Sequence, residues 1–245
     1  KVKDSTGTRT SISSLLENPS EYHDAYDIIT GATSTTNDAL EVKANNRSYY
    51  AHGIQTIVGM NFETGELKHD VDVSLRYHQD QIDRYQWVDK YAMDDGIMQL
   101  TEAGIHGTES NRIETANALA AYLQYKLSYG NLTAIPGIRY ESISLEREDY
   151  GKNDPDRTGK ELSKRSNSVN AVIPGIGFDY MMNENLNIFA GIHKGFSPPG
   201  SKEETKPEES INYEVGARLS KNGFAAQTVV FYNDYSNLLG TDLTA

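Results

Sequence analysis

The segment Glu66-Leu67-Lys68-His69-Asp70-Val71-Asp72-Val73-Ser74-Leu75-Arg76-Tyr77-His78 sorts its residues by parity. Leu67, Val71, Val73, Leu75 and Tyr77, with His69 near the start, share one parity, while Lys68, Asp70, Asp72, Ser74, Arg76 and His78 share the other. An extended chain, whose successive side chains point to opposite faces, produces this period of two. The segment predicts a β-strand with one apolar and one strongly polar face.

The same period recurs on both sides. Upstream, Arg47–Phe62 carries Tyr50, Ile54, Val58, Met60 and Phe62 on one parity. Downstream, Arg112–Leu127 sets Leu119, Ala121, Leu123, Tyr125 and Leu127 against Glu114, Tyr122, Gln124 and Lys126. Asn131–Arg147 sets Ile138 and Tyr140 against Arg139 and Glu141, and Asn167–Met182 sets Val172, Phe178 and Tyr180 against Gly175, Gly177 and Asp179. Asn185–Phe196, Ile211–Ser220 and the β-rich Gly223–Leu238 complete about eight predicted strands. Pro136 and Pro174 fall inside such runs, where the lost ladder donor points to bulges rather than to strand ends.

The connections alternate strictly between short and long. Glu63-Thr64-Gly65, Ser128-Tyr129-Gly130, Asn183-Glu184 and Lys221-Asn222 have tight-turn chemistry, whereas about 33, 20 and 16 residues fill 79–111, 146–165 and 197–212. Short turns at one rim and long loops at the other describe a transmembrane β-barrel, and strands of 10 to 16 residues exceed the usual five or six of a soluble sheet. A soluble sandwich or up-and-down barrel also alternates its faces. Residues 1–46 carry no such pattern; Ser11–Asn18 suggests one short helical turn and Gly31–Asn37 a Thr/Ser-rich loop.

Composition removes other classes. The 245 residues contain no cysteine, which excludes thiol chemistry, disulfide scaffolds and cysteine-ligated metal sites. A net charge of −12 provides no field for nucleic acid. Most of that charge falls in residues 1–46, 79–111 and 197–212, predicting acidic outer loops that meet divalent cations and lipopolysaccharide. A mean hydropathy of −0.61 is foreign to a helical membrane protein but compatible with strands that average two faces. The six histidines show no HExxH spacing, and Gly175-Ile176-Gly177 lies inside a strand rather than opening a helix. The acidic run Asp149–Asp156 lacks the closing Glu of an EF-hand and reads as a solvated loop. No enzyme, metal site or cofactor is predicted.

Three stretches carry a resemblance. They are Leu75-Arg76-Tyr77-His78-Gln79-Asp80 with Asp83-Arg84-Tyr85-Gln86; Leu132-Thr133-Ala134-Ile135-Pro136-Gly137-Ile138-Arg139-Tyr140-Glu141; and Lys194-Gly195-Phe196-Ser197-Pro198-Pro199 followed by Pro207-Glu208-Glu209-Ser210-Ile211-Asn212-Tyr213-Glu214-Val215-Gly216. From about residue 40 onward the chain resembles the barrel of TonB-dependent outer-membrane receptors, most of all the ferric dicitrate and ferric siderophore type. The resemblance implies an all-β, antiparallel transmembrane segment contributing about eight strands to a barrel of roughly 22, with short periplasmic turns and long extracellular loops. Residues 1–46 would be an extracellular loop region and 47–245 a partial barrel. The chain opens on Lys1-Val2-Lys3 without Met or a signal core and is expected to be a mature chain or a mid-barrel fragment.

The implied function is transport of a ferric chelate, with TonB acting through a plug domain outside these residues and with outer-membrane lipid as surroundings. A self-contained small outer-membrane barrel with a structural or adhesin role is the alternative, and a soluble β-domain binding carbohydrate or protein is a third. An oxygen-rich ferric complex is an anion, and the planar guanidinium binds carboxylates bidentately without losing charge. The substrate-binding candidates are therefore the polar-parity cations Arg76 and His78, Arg112, Arg139, Arg147 and His193. Against this stands internal pairing, Arg139 with Glu141 and Arg76 with Glu114 across strands.

Overall fold

A computed structural model describes residues 1–35 and 38–238. The end of the predicted Thr/Ser-rich loop, and Gly240–Ala245, into which the last predicted strand is expected to lead, lie outside them. In chain order the elements are β1 (Val2–Lys3), β2 (Arg9–Thr10), α1 (Ile12–Glu17), α2 (His23–Ile29), β3 (Leu40–Ala44), β4 (Arg47–Thr64), β5 (Leu67–Asp94), β6 (Ile97–Glu102), β7 (Ser110–Tyr129), β8 (Leu132–Asp149), β9 (Ser163–Asn183), β10 (Leu186–Ser197), β11 (Glu208–Lys221) and β12 (Phe224–Ser236). One sheet runs β12-β11-β10-β9-β8-β7-β5-β3-β1-β2, with β4 and β6 also bonded to β5.

All eight predicted strands are present, as β4, β5 and β7 to β12; β1, β2, β3 and β6 are additional. Two-residue turns close the hairpins. Asn222 (φ 52°) and Gly223 (φ 81°) join β11 to β12, and Asp95 (φ 46°) and Gly96 (φ 78°) join β5 to β6. Both central residues are left-handed, the geometry whose twist matches paired strands.

The chain divides into two compact units. The first comprises residues 1–49, 82–114 and 147–164 and holds a small apolar core of Val2, Leu15, Ala25, Ile28, Ala39, Leu40 and Met93. Ser11 caps α1 by accepting from the Ser14 amide, and α1 buries Leu15. α2 has no side-chain cap and is held by burying Ala25 and Ile28. β3 pairs antiparallel with β5, Leu40 opposite Tyr91. Residues 1–46, expected as loop, are thus partly regular structure. The long 79–111 connection is likewise shorter than expected, because β5 continues to Asp94 and turns back as β6.

The second unit comprises 50–81, 115–146 and 165–245. Its large hydrophobic side chains are mostly exposed, on the parity that alternation marks as apolar: Val73 (44 %), Leu75 (56 %), Leu123 (44 %) and Ile138 (48 %) among them. Polar-ended aromatics bound this stripe. At one end Tyr77 Oη donates to Asn117 Oδ1 (3.1 Å) and Tyr140 Oη to Asn170 Oδ1 (3.0 Å). At the other, His69 Nδ1 and Tyr125 Oη are hydrogen-bonded at 2.6 Å, with the His69 ring stacked on Phe62 at 4.4 Å. The eight steps from His69 to Tyr77 cover about 26 Å at ~3.3 Å each. At a strand tilt of ~40° that is about 20 Å of depth, most of the ~25 Å apolar band of a membrane barrel wall.

Candidate functional site

Beyond Tyr77, β5 runs on for another 17 residues to Asp94. Together with the ends of β7 and β8 it presents, in the first unit, a cluster of three arginines on one carboxylate. Arg84 Nε lies 3.7 Å from Glu114 Oε2, Arg112 Nε 3.6 Å from Glu114 Oε1, and Arg147 Nη1 3.7 Å from the same oxygen. Arg147 also bonds Asp149 at 2.6 Å. The Nε atoms of Arg84, Arg112 and Arg147 are buried and make no hydrogen bond. One carboxylate beyond hydrogen-bonding distance of three guanidiniums leaves these three Nε donors unspent, and each unmade bond at a buried group costs about 1–3 kcal/mol. Three arginines against Glu114 and Asp149 also leave a formal charge of +1. The cluster is therefore receptive to an anion and underused as a structural ion pair.

Alternation places Arg84 on the parity of Arg76 and His78, and Arg112, Glu114 and Arg147 on the polar parities of their strands. The opposite parities hold another arrangement. Arg157, from the β8–β9 connection, donates from Nη1 and Nη2 to Asp83 (2.9 and 2.6 Å) and from Nε to Asn111 Oδ1 (2.8 Å). Its guanidinium lies 4.7 Å from the Tyr85 ring centroid and 5.4 Å from that of Tyr150. Asn111, 2 % exposed, donates to the Asp154 carbonyl (2.7 Å), and Tyr85 Oη donates to that of Pro155 (2.6 Å). The Asp83 partnership raises the Arg157 pKa further above its ordinary value, against the opposing effect of burial.

The acidic run expected to be solvated is so only in part: Lys152, Asn153 and Asp156 are exposed and Asp154 is buried. Asp154 is 4 % exposed. Burial alone would raise its pKa, but bonds from the Thr158 amide and hydroxyl and from the Gly159 and Lys160 amides hold it below the ordinary carboxylate range.

The predicted residues fall into three groups. Arg112 and Arg147 meet at Glu114; the third arginine there is Arg84 and not, as expected, Arg76. Arg84 was missed because 79–111 reads as a loop; the even-number continuation from Arg76 and His78 was its available signal. Arg76 and His78 border an open hollow of about 410 Å³ in the second unit, His78 Nδ1 lying 3.6 Å from Asp80. Arg139 and His193 border another of about 440 Å³, where Gly175, Gly177 and Gly191 leave room. Arg139 is bound to Glu141 at 2.5 Å, the internal pairing foreseen for it.

The β-barrel of the TonB-dependent receptor-like family matches residues 4–245. The chain belongs to the TonB-dependent receptor-like β-barrel family. That match begins well upstream of the three resembling stretches and takes in residues of α1, α2 and β3. Among solved structures of this fold, the unliganded ferric citrate transporter FecA superposes with a TM-score of 0.69 at 20 % identity, over 84 % of this chain and 30 % of that one. The ferric-catecholate import receptor Fiu of E. coli K12, in its closed form, gives 0.63 at 17 %, over 82 % and 33 %. The alcaligin outer-membrane receptor FauA of Bordetella pertussis gives 0.57 at 19 %, over 80 % and 31 %. The chain spans about a third of the length of each. TonB-dependent receptors are bacterial outer-membrane receptors and transporters rather than enzymes, and the antiparallel sheet described above is part of such a barrel.

Proposed function

We propose that this chain forms part of the barrel wall of an outer-membrane transporter that takes up a ferric chelate, ferric citrate or a ferric siderophore, driven by TonB. One observation carries the reading: Arg84, Arg112 and Arg147 surround Glu114 at 3.6–3.7 Å with their buried Nε donors unspent, and the cluster, Asp149 included, keeps a net positive charge. An anionic complex presenting carboxylates supplies the missing acceptors, and no bond chemistry is required of the wall. Arg76, His78, Arg139 and His193 are assigned as further lumen contacts along the ligand's path. The plug through which TonB would act, and the lipid and lipopolysaccharide around the wall, belong to the same reading.

The test uses the complete receptor in outer membranes, with radiolabelled ferric citrate and a ferric catecholate as separate probes. Arg112→Ala and Arg147→Ala are expected to reduce uptake of the carboxylate probe at least tenfold while the amount of folded barrel is unchanged. Uptake at the wild-type level in both variants, for both probes, overturns the assignment.

A further inference from the structure

We infer that Arg157 is a positioning residue for the arginine cluster, acting through the strand ends from their opposite face. The inference rests on the cluster being the ligand contact and adds the element that holds it in shape. Three guanidiniums at one carboxylate repel one another, and Glu114, at 3.6–3.7 Å, bonds none of them closely. The backbone ladder spaces β5, β7 and β8, and Arg147 has Asp149 beside it on its own strand, but the cluster's contacts from strand to strand are the long ones to Glu114. The opposite face supplies close ones. Each anchor of Arg157 is a sequence neighbour of a cluster member: Asp83 precedes Arg84, Asn111 precedes Arg112, and Tyr150 follows Asp149. Adjacent strand residues point to opposite faces but share a peptide unit, so locking one orients the other.

One side chain engages all three strand ends. Its fork takes both oxygens of Asp83 on β5, its Nε takes Asn111 on β7, and its Cζ lies over the rings of Tyr85 and of Tyr150, the residue that follows β8. The Tyr150 amide donates to the Asn111 carbonyl at 2.8 Å, joining β8 to β7 beside it. Arg157 itself adopts φ 55°, a left-handed conformation uncommon outside glycine. The buried Asp154 carboxylate, accepting from the three residues that follow Arg157, holds the turn in that form. Lysine would keep the charge but not the fork, the Nε bond or the planar stack.

The experiment uses the complete receptor, wild type against Arg157→Lys, Arg157→Gly (which suits the φ) and the exchanged pair Asp83→Arg/Arg157→Asp. Two measurements are made. Binding of ferric citrate gives affinity and site number separately, and hydrogen exchange reports residues 110–114 and 147–150 against 186–221 as control. Arg157→Gly and Arg157→Lys are expected to raise Kd about tenfold, equivalent to about 1.4 kcal/mol, with site number unchanged, and to speed exchange only at the strand ends. The exchanged pair is expected to recover part of the affinity. Fewer sites at unchanged Kd would show a purely structural role and overturn the inference. If wild type does not bind ferric citrate, the ligand reading fails by itself. Exchange then decides: unaltered protection at 110–114 and 147–150 in Arg157→Gly overturns the positioning role, and selective loss supports it.

Discussion

Val73 is the position at which the membrane reading is most exposed to refutation. It lies on the exposed apolar parity of β5, four residues from His69 and four from Tyr77, whose polar ends are engaged across strands. Four steps are about 13 Å along the strand, or about 10 Å of depth at a tilt of ~40°. Val73 therefore sits near the middle of the bilayer, with Val71 and Leu75 halfway to each surface. Arginine on the lipid face costs about 2–4 kcal/mol at the midplane and about 0–1 near the interfaces. At 1.4 kcal/mol per decade, Val73→Arg should lower the folding equilibrium about 30- to 1,000-fold. Val71→Arg and Leu75→Arg should fall between, and Tyr77→Arg should be nearly neutral apart from its lost bond to Asn117.

The assay is urea titration of the complete receptor folded into vesicles, supported by the folded fraction on unboiled gels after expression. Asp72→Arg, on the polar parity, serves as the depth-matched control. A dome-shaped cost centred on Val73 is expected. Were the exposed stripe an ordinary water-facing surface, a residue 44 % exposed would take arginine within about 0.5 kcal/mol. A flat profile of that size along Val71, Val73 and Leu75 refutes the argument.

Other outcomes follow from particular contacts. At Gly216 a Cβ would meet Phe189 Cζ and the Thr228 carbonyl oxygen, both at 2.5 Å; Gly216→Val should cost about 1–3 kcal/mol in barrel melting, and Phe189→Ala should not restore it because the carbonyl remains. Glu114→Gln removes the one shared carboxylate and takes the cluster from +1 to +2. It should tighten binding of citrate by about 0.5–1 kcal/mol at low salt, a gain that vanishes at 1 M salt, and weaker binding at low salt would contradict the anion reading. The depressed pKa of Asp154 contributes stability that is present above the ordinary carboxylate range and lost as pH falls through the folded value. Protection of residues 150–162 in hydrogen exchange, corrected for intrinsic rates, should therefore hold from pH 7 to 5 and fall only below about pH 4; Asp154→Asn should abolish that acid transition, and an unchanged pH profile in the variant would contradict the assignment.

How much the sequence disclosed depended on what each face meets. Between His69 and Tyr77 one face meets hydrocarbon and the other does not, so polarity alternates and the strand is legible residue by residue. Past Tyr77 the alternation fades: Asp83, Tyr85, Trp87 and Asp89 share one parity, Arg84, Gln86, Val88 and Lys90 the other. Neither face there needs to be apolar, so the extension of β5 carries no binary signal, though Asp95-Gly96 marks its hairpin turn. The helices divide on the same kind of ground. α1 announces itself through the Ser11 cap, whereas α2 follows Tyr22, which caps nothing, and depends on a core assembled from distant segments.

The site was legible to the extent that its chemistry is local. Arg112 and Arg147 stand on the polar parity of strands read correctly, so their direction could be foreseen, and Arg139 with Glu141 are two residues apart on one face. The convergence on Glu114 depends on the register of β5, β7 and β8, which no single strand encodes. The Arg157 clasp is less local still. Arg157 and Asp83 are 74 residues apart, and in sequence Arg157 is one cation just past an acidic run. Its importance comes from the alternation itself, applied a second time: any residue locked on the outer face of a strand end fixes the inner residue beside it. A wall that must present charge toward a lumen with few fixed contacts there can be stiffened from the other side. The connection between β8 and β9, charge-neutral over 146–165 and unremarkable by composition, is where that support would be lost first.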